Sequence, residues 1–286
     1  MPELPEVQAL VDFLGERLVD DAITQVALGS FSVLKTVDPP PQAFEGAVVS
    51  AVSRHGKFVD VDCDGLHLVF HLAKAGWLRW YDELPGTTVR PGKSPIALRV
   101  GLLGGGGFDL TEAGTRKSLA AYVVRSLQEV PGIARLGPDP LAPEFTQDAF
   151  AGLLAGRNVQ IKGLLRDQSV IAGVGNAYSD EVLHVARLSP FAKASSLDDD
   201  AVTRLYAALR DTLAAAVVAA SGRPADQLKD AKRAGMRVHG RTGEPCPECG
   251  DTVAEVAFAD RSLQYCPTCQ TGGKPLADRR MSKLLK

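Results

Sequence analysis

No stretch of this 286-residue chain holds the roughly 18 consecutive apolar residues that a membrane-spanning helix needs. The longest approach, Leu213 to Ala220, is short and alanine-rich. A basic segment followed by an apolar one is also missing at the N-terminus, so no secretory signal is expected and the cytoplasm is the expected compartment. Internal repeats are absent. The four-glycine run Gly104 to Gly107 lacks the Gly-Lys-Ser/Thr that would make it a phosphate cradle, so it reads as a hairpin loop. Net charge is small at −2, a weak argument against a nucleic-acid partner, but the charge is uneven. Ala231 to Lys286 carries ten Lys/Arg against six Asp/Glu, while the rest carries 22 against 28. A basic C-terminal module on an acidic body suits phosphate binding confined to one face.

What is present begins at Pro2, within Met1-Pro2-Glu3-Leu4-Pro5-Glu6-Val7. A small second residue permits removal of the initiator methionine, which would leave proline as a free secondary amine. An α-amino group titrates at roughly 7.7–8.0, against about 10.4 for lysine. A useful fraction is therefore unprotonated at neutral pH. Attack on an aldehydic carbon would give an iminium, an electron sink for covalent catalysis, with Glu3 and Glu6 beside it as proton carriers. The competing reading is structural. Proline and glutamate both favour a first helical turn, and Val7, Leu10, Val11, Leu14 and Leu18 recur at helical spacing.

Cysteine is scarce, and four of the five stand as Cys246-Pro-Glu-Cys249 and Cys266-Pro-Thr-Cys269. The spacing fits two knuckles turned on one tetrahedral zinc. Val253, Val256, Phe258 and Tyr265 between them predict a two-stranded hairpin. So small a module cannot bury much core, so metal would supply its folding free energy. A redox dithiol pair is the alternative. With all four positions filled, the zinc is expected to be structural. Cys63 reads as a buried strand residue.

From about residue 20 to 130 apolar and polar positions alternate, as in Val48–Val52, Lys57–Cys63, Leu66–Leu72, Trp77–Tyr81 and Ile96–Leu102. This predicts an antiparallel β domain with the N-terminal helix against it. Helices are then predicted over Phe145–Ala155, Ile161–Arg166, Asn176–Ala186 and Asp198–Ala220. Gly173 and Gly175 allow a tight turn whose amides lie at a helix N-terminus, a place for phosphate. Ser221 to Ala234 is polar and reads as a linker or mobile loop. The expected class is multidomain α+β. Its segments are an N-terminal catalytic domain at 1–132, a helical domain at 133–228, and a zinc finger with a basic tail at 229–286.

Taken together these residues resemble the formamidopyrimidine-DNA glycosylase / endonuclease VIII family. The matching segments are Pro2 to Val7, Arg54-His55-Gly56-Lys57-Phe58, His71-Leu72, Gly173 to Tyr178, and His239-Gly240-Arg241 leading into the four cysteines. They follow the family's order and cover the chain to Gln270. The resemblance implies a β-sandwich, a helix–two-turn–helix domain and a zinc finger, in a monomer that binds damaged double-stranded DNA. It implies a bifunctional DNA glycosylase and abasic-site lyase of base excision repair, acting on oxidised or ring-opened purines. Pro2 would attack C1′, Glu3 would move protons at the sugar, and β- and δ-elimination would follow. Lys57 matches the catalytic lysine of the β domain; His71, Lys162, Asn176 and Arg261 match phosphate-holding positions. The target base must leave the stack.

Two positions depart from the family pattern. Lys74 stands where members carry a methionine that fills the hole left by the extruded base. Glu112 to Ser118, with Arg116 and no aromatic, replaces a loop that supplies an arginine and a phenylalanine. The segment from Ser221 to Met236 also differs from the family's loop over an oxidised purine. Oxidised pyrimidines or single-stranded DNA therefore stay open as substrates, as does a non-catalytic binder of abasic or damaged DNA.

Overall fold

The structure is a computed structural model that describes residues 1–92, 95–113, 117–259 and 261–277. Contacts group the chain into two compact units. One comprises Met1–Leu136 with Ala220–Lys229, and the other Gly137–Ala219 with Asp230–Lys286.

The first unit opens with α1 (Leu4–Leu18). Glu3 and Glu6 form a reciprocal capping box, and a proline lies in the first turn. Leu4, Val7, Leu10, Val11, Leu14 and Leu18 form the buried face. Eight strands follow: β1 (Ile23–Leu28), β2 (Ala51–His55), β3 (Phe58–Cys63), β4 (Leu66–His71), β5 (Gly76–Tyr81), β6 (Ile96–Leu102), β7 (Gly107–Glu112) and β8 (Ala120–Val124). They make two antiparallel four-stranded sheets, ordered β1-β6-β7-β5 and β2-β3-β4-β8. Alternation decides which residues enter the core between them. Val59, Val61 and Cys63 of β3 join that core, as do Leu68 and Phe70 of β4 and Leu98, Val100, Phe108 and Leu110 of β6–β7. Burial and the nearby Asp62, Asp64 and Asp60 push the Cys63 thiol up to about 12, as suits a packing residue. Opposite one another on β6 and β7, Arg99 and Asp109 form a buried bidentate pair at 2.7 and 2.8 Å.

The second unit contains α2 (Gln147–Leu154), α3 (Ile161–Arg166), α4 (Asn176–Val185) and α5 (Asp199–Ala220). Thr146 caps α2 through a 3.2 Å bond from the Ala149 amide. Gln168 fixes the turn before α4, accepting from Gly173 N at 3.0 Å and donating to Val174 O at 2.7 Å. Gly173 has φ +84°, in the left-handed region that favours glycine. After α5, residues Leu228–Gly235 form α6. Of the expectation of a linker or mobile loop over Ser221–Ala234, the loop is corrected, since the second half is helical, while the segment does lead from the first unit into the second. Ala225 and Leu228 are buried in the core of the first unit, and a short 3-10 turn at Ala225–Gln227 leads into the helix. Two apolar anchors were enough to order a segment of polar composition. The finger is a hairpin of β9 (Ala254–Ala257) and β10 (Ser262–Tyr265), followed by α7 (Pro267–Thr271). Among the described residues no helix is long and apolar enough to cross a membrane.

Candidate nucleic-acid interface and zinc centre

In the first unit, the N-terminal residues are fixed by helix capping. The Glu3 amide donates to Glu6 Oε2 at 2.8 Å, and both carboxylates are buried. Pro2 is buried directly before them, while Met1 is 48% exposed. Lys57 follows Gly56, whose φ of +59° turns the chain between β2 and β3. Arg54 ties that turn to α1. Its Nε donates to Gln8 Oε1 at 2.8 Å and its Nη1 to the Gly56 carbonyl at 3.3 Å.

His71 ends β4 opposite Phe58, the rings 4.8 Å apart. Burial, and next the positive charge of Lys57, pull its pKa down to about 4. The ring is therefore neutral at pH 7. Its Nδ1 accepts from the Ala73 amide at 3.1 Å, which assigns the proton to Nε2 and makes that nitrogen a donor. Lys57 and His71 thus share one electrostatic neighbourhood. The turn after His71 is tight: Gly76 N donates to Leu72 O at 2.8 Å, and a Cβ at Gly76 would lie 2.2 Å from that oxygen. Lys74 is exposed on this turn. Buried Glu112 pins the base of the next loop, accepting from the amides of Ser118 at 2.6 Å and Leu119 at 3.0 Å. Arg116 lies outside the described residues, as do Arg279, Arg280 and Lys283.

In the second unit, Asn176 opens α4, and its Nδ2 donates to the Ser262 carbonyl at 2.8 Å. Arg261, the neighbour of Ser262, is exposed, with its guanidinium 5.4 Å from the Phe258 ring centroid. Two of the expected phosphate-holding residues therefore meet at the finger hairpin. Lys162 is placed differently. It is 5% exposed, and its ammonium donates to Asp180 Oδ1 at 2.6 Å, Ser179 Oγ at 2.7 Å and Asn176 O at 3.1 Å. These three acceptors match the three N–H bonds of an ammonium. Lys162 braces the first turn of α4.

Sequence reasoning did not single out Asp180 and Glu181. The other oxygen of Asp180 meets His239 Nδ1 at 2.8 Å. Glu181 accepts from three successive amides, those of Arg237, Val238 and His239, at 2.7, 3.0 and 2.8 Å. Burial raises the Glu181 pKa, partly offset by those amides. The available signal was a pair of adjacent acids following a glycine-rich helix start.

Cys246, Cys249, Cys266 and Cys269 bring their sulfurs within 4.8 Å of one another. Cys246 Sγ lies 3.9 Å from Cys269 Sγ, and Cys249 Sγ 3.4 Å from Cys266 Sγ. A regular tetrahedron with Zn–S near 2.3 Å has edges of about 3.8 Å, so this all-thiol set fits zinc. With four protein donors the site leaves no position for a substrate, so the metal is one structural zinc.

Comparison with known proteins covers the same ground. Residues 1–120 match the formamidopyrimidine-DNA glycosylase N-terminal domain, 136–226 its H2TH domain, and 243–272 a zinc finger found in FPG and IleRS. A formamidopyrimidine-DNA glycosylase of Symbiobacterium thermophilum is 35% identical over 98% of this chain and 93% of its own length. An uncharacterized formamidopyrimidine-DNA glycosylase-like protein of Mycobacterium tuberculosis is 60% identical, over 53% of this chain and 94% of its own. Wild-type Lactococcus lactis Fpg, solved with DNA containing N7-benzyl-Fapy-dG, superposes with a TM-score of 0.84 at 25% identity. That match spans 94% of this chain and 100% of the other. Sandwich, helical module, four-cysteine centre and near-full-length kinship agree: the chain belongs to the formamidopyrimidine-DNA glycosylase family of DNA-binding repair proteins.

Proposed function

We propose that this protein is a bifunctional DNA glycosylase and abasic-site lyase acting on duplex DNA with oxidised or ring-opened purines, with Pro2 as nucleophile. The observation that carries this reading is the N-terminus. An exposed Met1 precedes a buried proline that stands one residue before Glu3, the N-cap of α1, whose capping box ties Glu3 to Glu6. Trimming of Met1 leaves a secondary amine there. The amine bonds to C1′, and the glycosidic bond breaks with its electrons leaving on the base, which takes a proton. The amine sheds its proton and the C1′–O4′ bond then opens, O4′ taking a proton, which leaves an iminium that acidifies C2′. Loss of that proton expels the 3′ phosphate, and a second elimination expels the 5′ phosphate. Glu3 carries protons at the sugar. Lys57 balances phosphate charge as an ammonium, and neutral His71 donates from Nε2. Asn176 and Arg261 hold the strand, and Lys162 holds Asn176 in place.

Lys74 supports a second reading, the same chemistry on oxidised pyrimidines or single-stranded DNA. An exposed ammonium offers little apolar surface to fill a vacated stack, so nucleotides that leave it easily are favoured. Borohydride trapping on abasic, 8-oxoguanine, formamidopyrimidine and thymine glycol substrates separates the readings. An adduct that is lost in Pro2→Gly, with the N-terminus checked by mass, is the expected result. Absence of adduct on every substrate would leave a non-catalytic binder of damaged DNA.

A further inference from the structure

Along α4, Asn176, Asp180 and His184 succeed one another at intervals of four residues and so share one helical face. Each addresses a different part of the finger. Asn176 reaches the Ser262 carbonyl on the hairpin, Asp180 reaches the His239 ring, and His184 reaches the first zinc knuckle, its Nε2 lying 3.2 Å from Cys246 Sγ. His184 and Cys246 are 1% and 3% exposed. The other ring nitrogen, Nδ1, is buried with no hydrogen-bond partner among the described residues.

The chemistry fixes the direction of this bond. A cysteine that ligates zinc is a thiolate with no proton to give, so His184 must be the donor. Nδ1 is then a bare lone pair. Leaving a buried acceptor unpaired costs free energy, and a charge-assisted N–H···S⁻ bond is what offsets it. A four-thiolate zinc carries net negative charge, and a buried donor on one sulfur relieves it in surroundings where water cannot.

We propose that His184 is a positioning residue of the zinc centre, donating Nε2–H to the Cys246 thiolate, and that it couples zinc retention to the Asn176 end of the same helix. The metal then sets the register of α4 against the finger as well as folding the finger. Loss of zinc frees the knuckle, removes the partner of His184, and loosens the stripe that holds Asn176 beside Arg261. By reciprocity of linkage, a strand phosphate bound at Asn176 tightens the hold on zinc. This second half rests on the reading that Asn176 holds a phosphate; the first does not.

Two variants of similar length separate the hydrogen bond from side-chain volume. His184→Gln keeps an N–H donor near the Nε2 position, and His184→Met keeps the bulk without it. Zinc release from the purified, full-length holoprotein to an excess of chromogenic chelator is the readout. His184→Met is expected to release zinc about 10- to 100-fold faster than the parent, the range seen for lost outer-sphere partners, and His184→Gln within a few-fold of it. Purification of the Met variant empty and the Gln variant loaded would carry the same meaning. Equal release from both variants, or loss of zinc from both alike, overturns the assignment. For the coupling, a duplex carrying a tetrahydrofuran abasic analogue should slow zinc release from the parent and not from His184→Met. No slowing in the parent overturns the coupling while leaving the outer-sphere bond standing.

Discussion

A single imidazole shows how burial writes pH dependence into this fold. His71 titrates at about 4 in the folded chain against 6.5 for the free side chain, because burial and then Lys57 disfavour its charged form. Its folded pKa is depressed, so between these two values the unfolded chain binds more protons than the folded one. Stability is therefore complete above pH 6.5 and is lost as the pH falls toward 4. At about 1.4 kcal/mol for each tenfold change in proton affinity, the loss approaches roughly 3 kcal/mol. His71→Gln removes this titration. The thermal midpoint reported by tryptophan fluorescence should fall less steeply between pH 6.5 and 4 in the variant than in the parent. Parallel slopes for the two proteins would mean that His71 is accessible to protons in the folded state. The same neutrality bears on the proposed function, in which His71 would meet a phosphate at pH 7 with a directed N–H and no net charge.

Among the elements, α3 and α4 are joined by a buried ion pair that a surface view of lysine would misassign. Lys162 and Asp180 meet at 2.6 Å with side chains 7% and 0% exposed. Removing one partner of such a pair strands the other charge, at a cost of about 3–5 kcal/mol. Lys162→Met should therefore lower the unfolding free energy of the second unit by about that amount. It should leave the salt dependence of DNA binding unchanged wherever the variant is folded. Arg261→Ala should do the reverse, preserving stability and lowering the salt slope by about one. A slope lowered by Lys162→Met, with stability intact, would put that ammonium on the phosphate backbone. The contrast marks how far the sequence is readable. Helix α1 is legible because Pro5, Glu6 and the apolar face from Val7 to Leu18 agree at every level, and β3 because its valines alternate with aspartates. The zinc centre is legible because its ligands are near neighbours in sequence. Lys162 is not, since its three acceptors come from residues 14 to 18 positions later and depend on how α3 meets α4. Helix α6 escapes notice for the opposite reason: only Ala225 and Leu228 anchor the segment, too few to mark a period.

For the molecule as a whole, the division into two units has a spectroscopic consequence. The chain has two tryptophans, Trp77 and Trp80, and both lie in the first unit. That unit has its own extensive core between two sheets and α1. The finger has much less. One of its clusters consists of Val238 and Val253 packed with Cys246 and Cys266, so two of its four buried members are themselves metal ligands. Zinc removal thus takes away the frame of that cluster along with the ion. It also leaves Asp180 and Glu181, buried on α4, without the ordered segment at residues 237–239 that satisfies them. The cost reaches from the finger into the helices of the same unit. Stripping zinc with a chelator should therefore remove part of the helical circular dichroism and weaken duplex binding, because Asn176 and Arg261 lose their common support. Tryptophan emission, and the denaturant midpoint it reports, should stay where they were. A zinc-dependent shift in that midpoint would show that the two units unfold as one cooperative body, with the metal holding the sandwich as well as the finger.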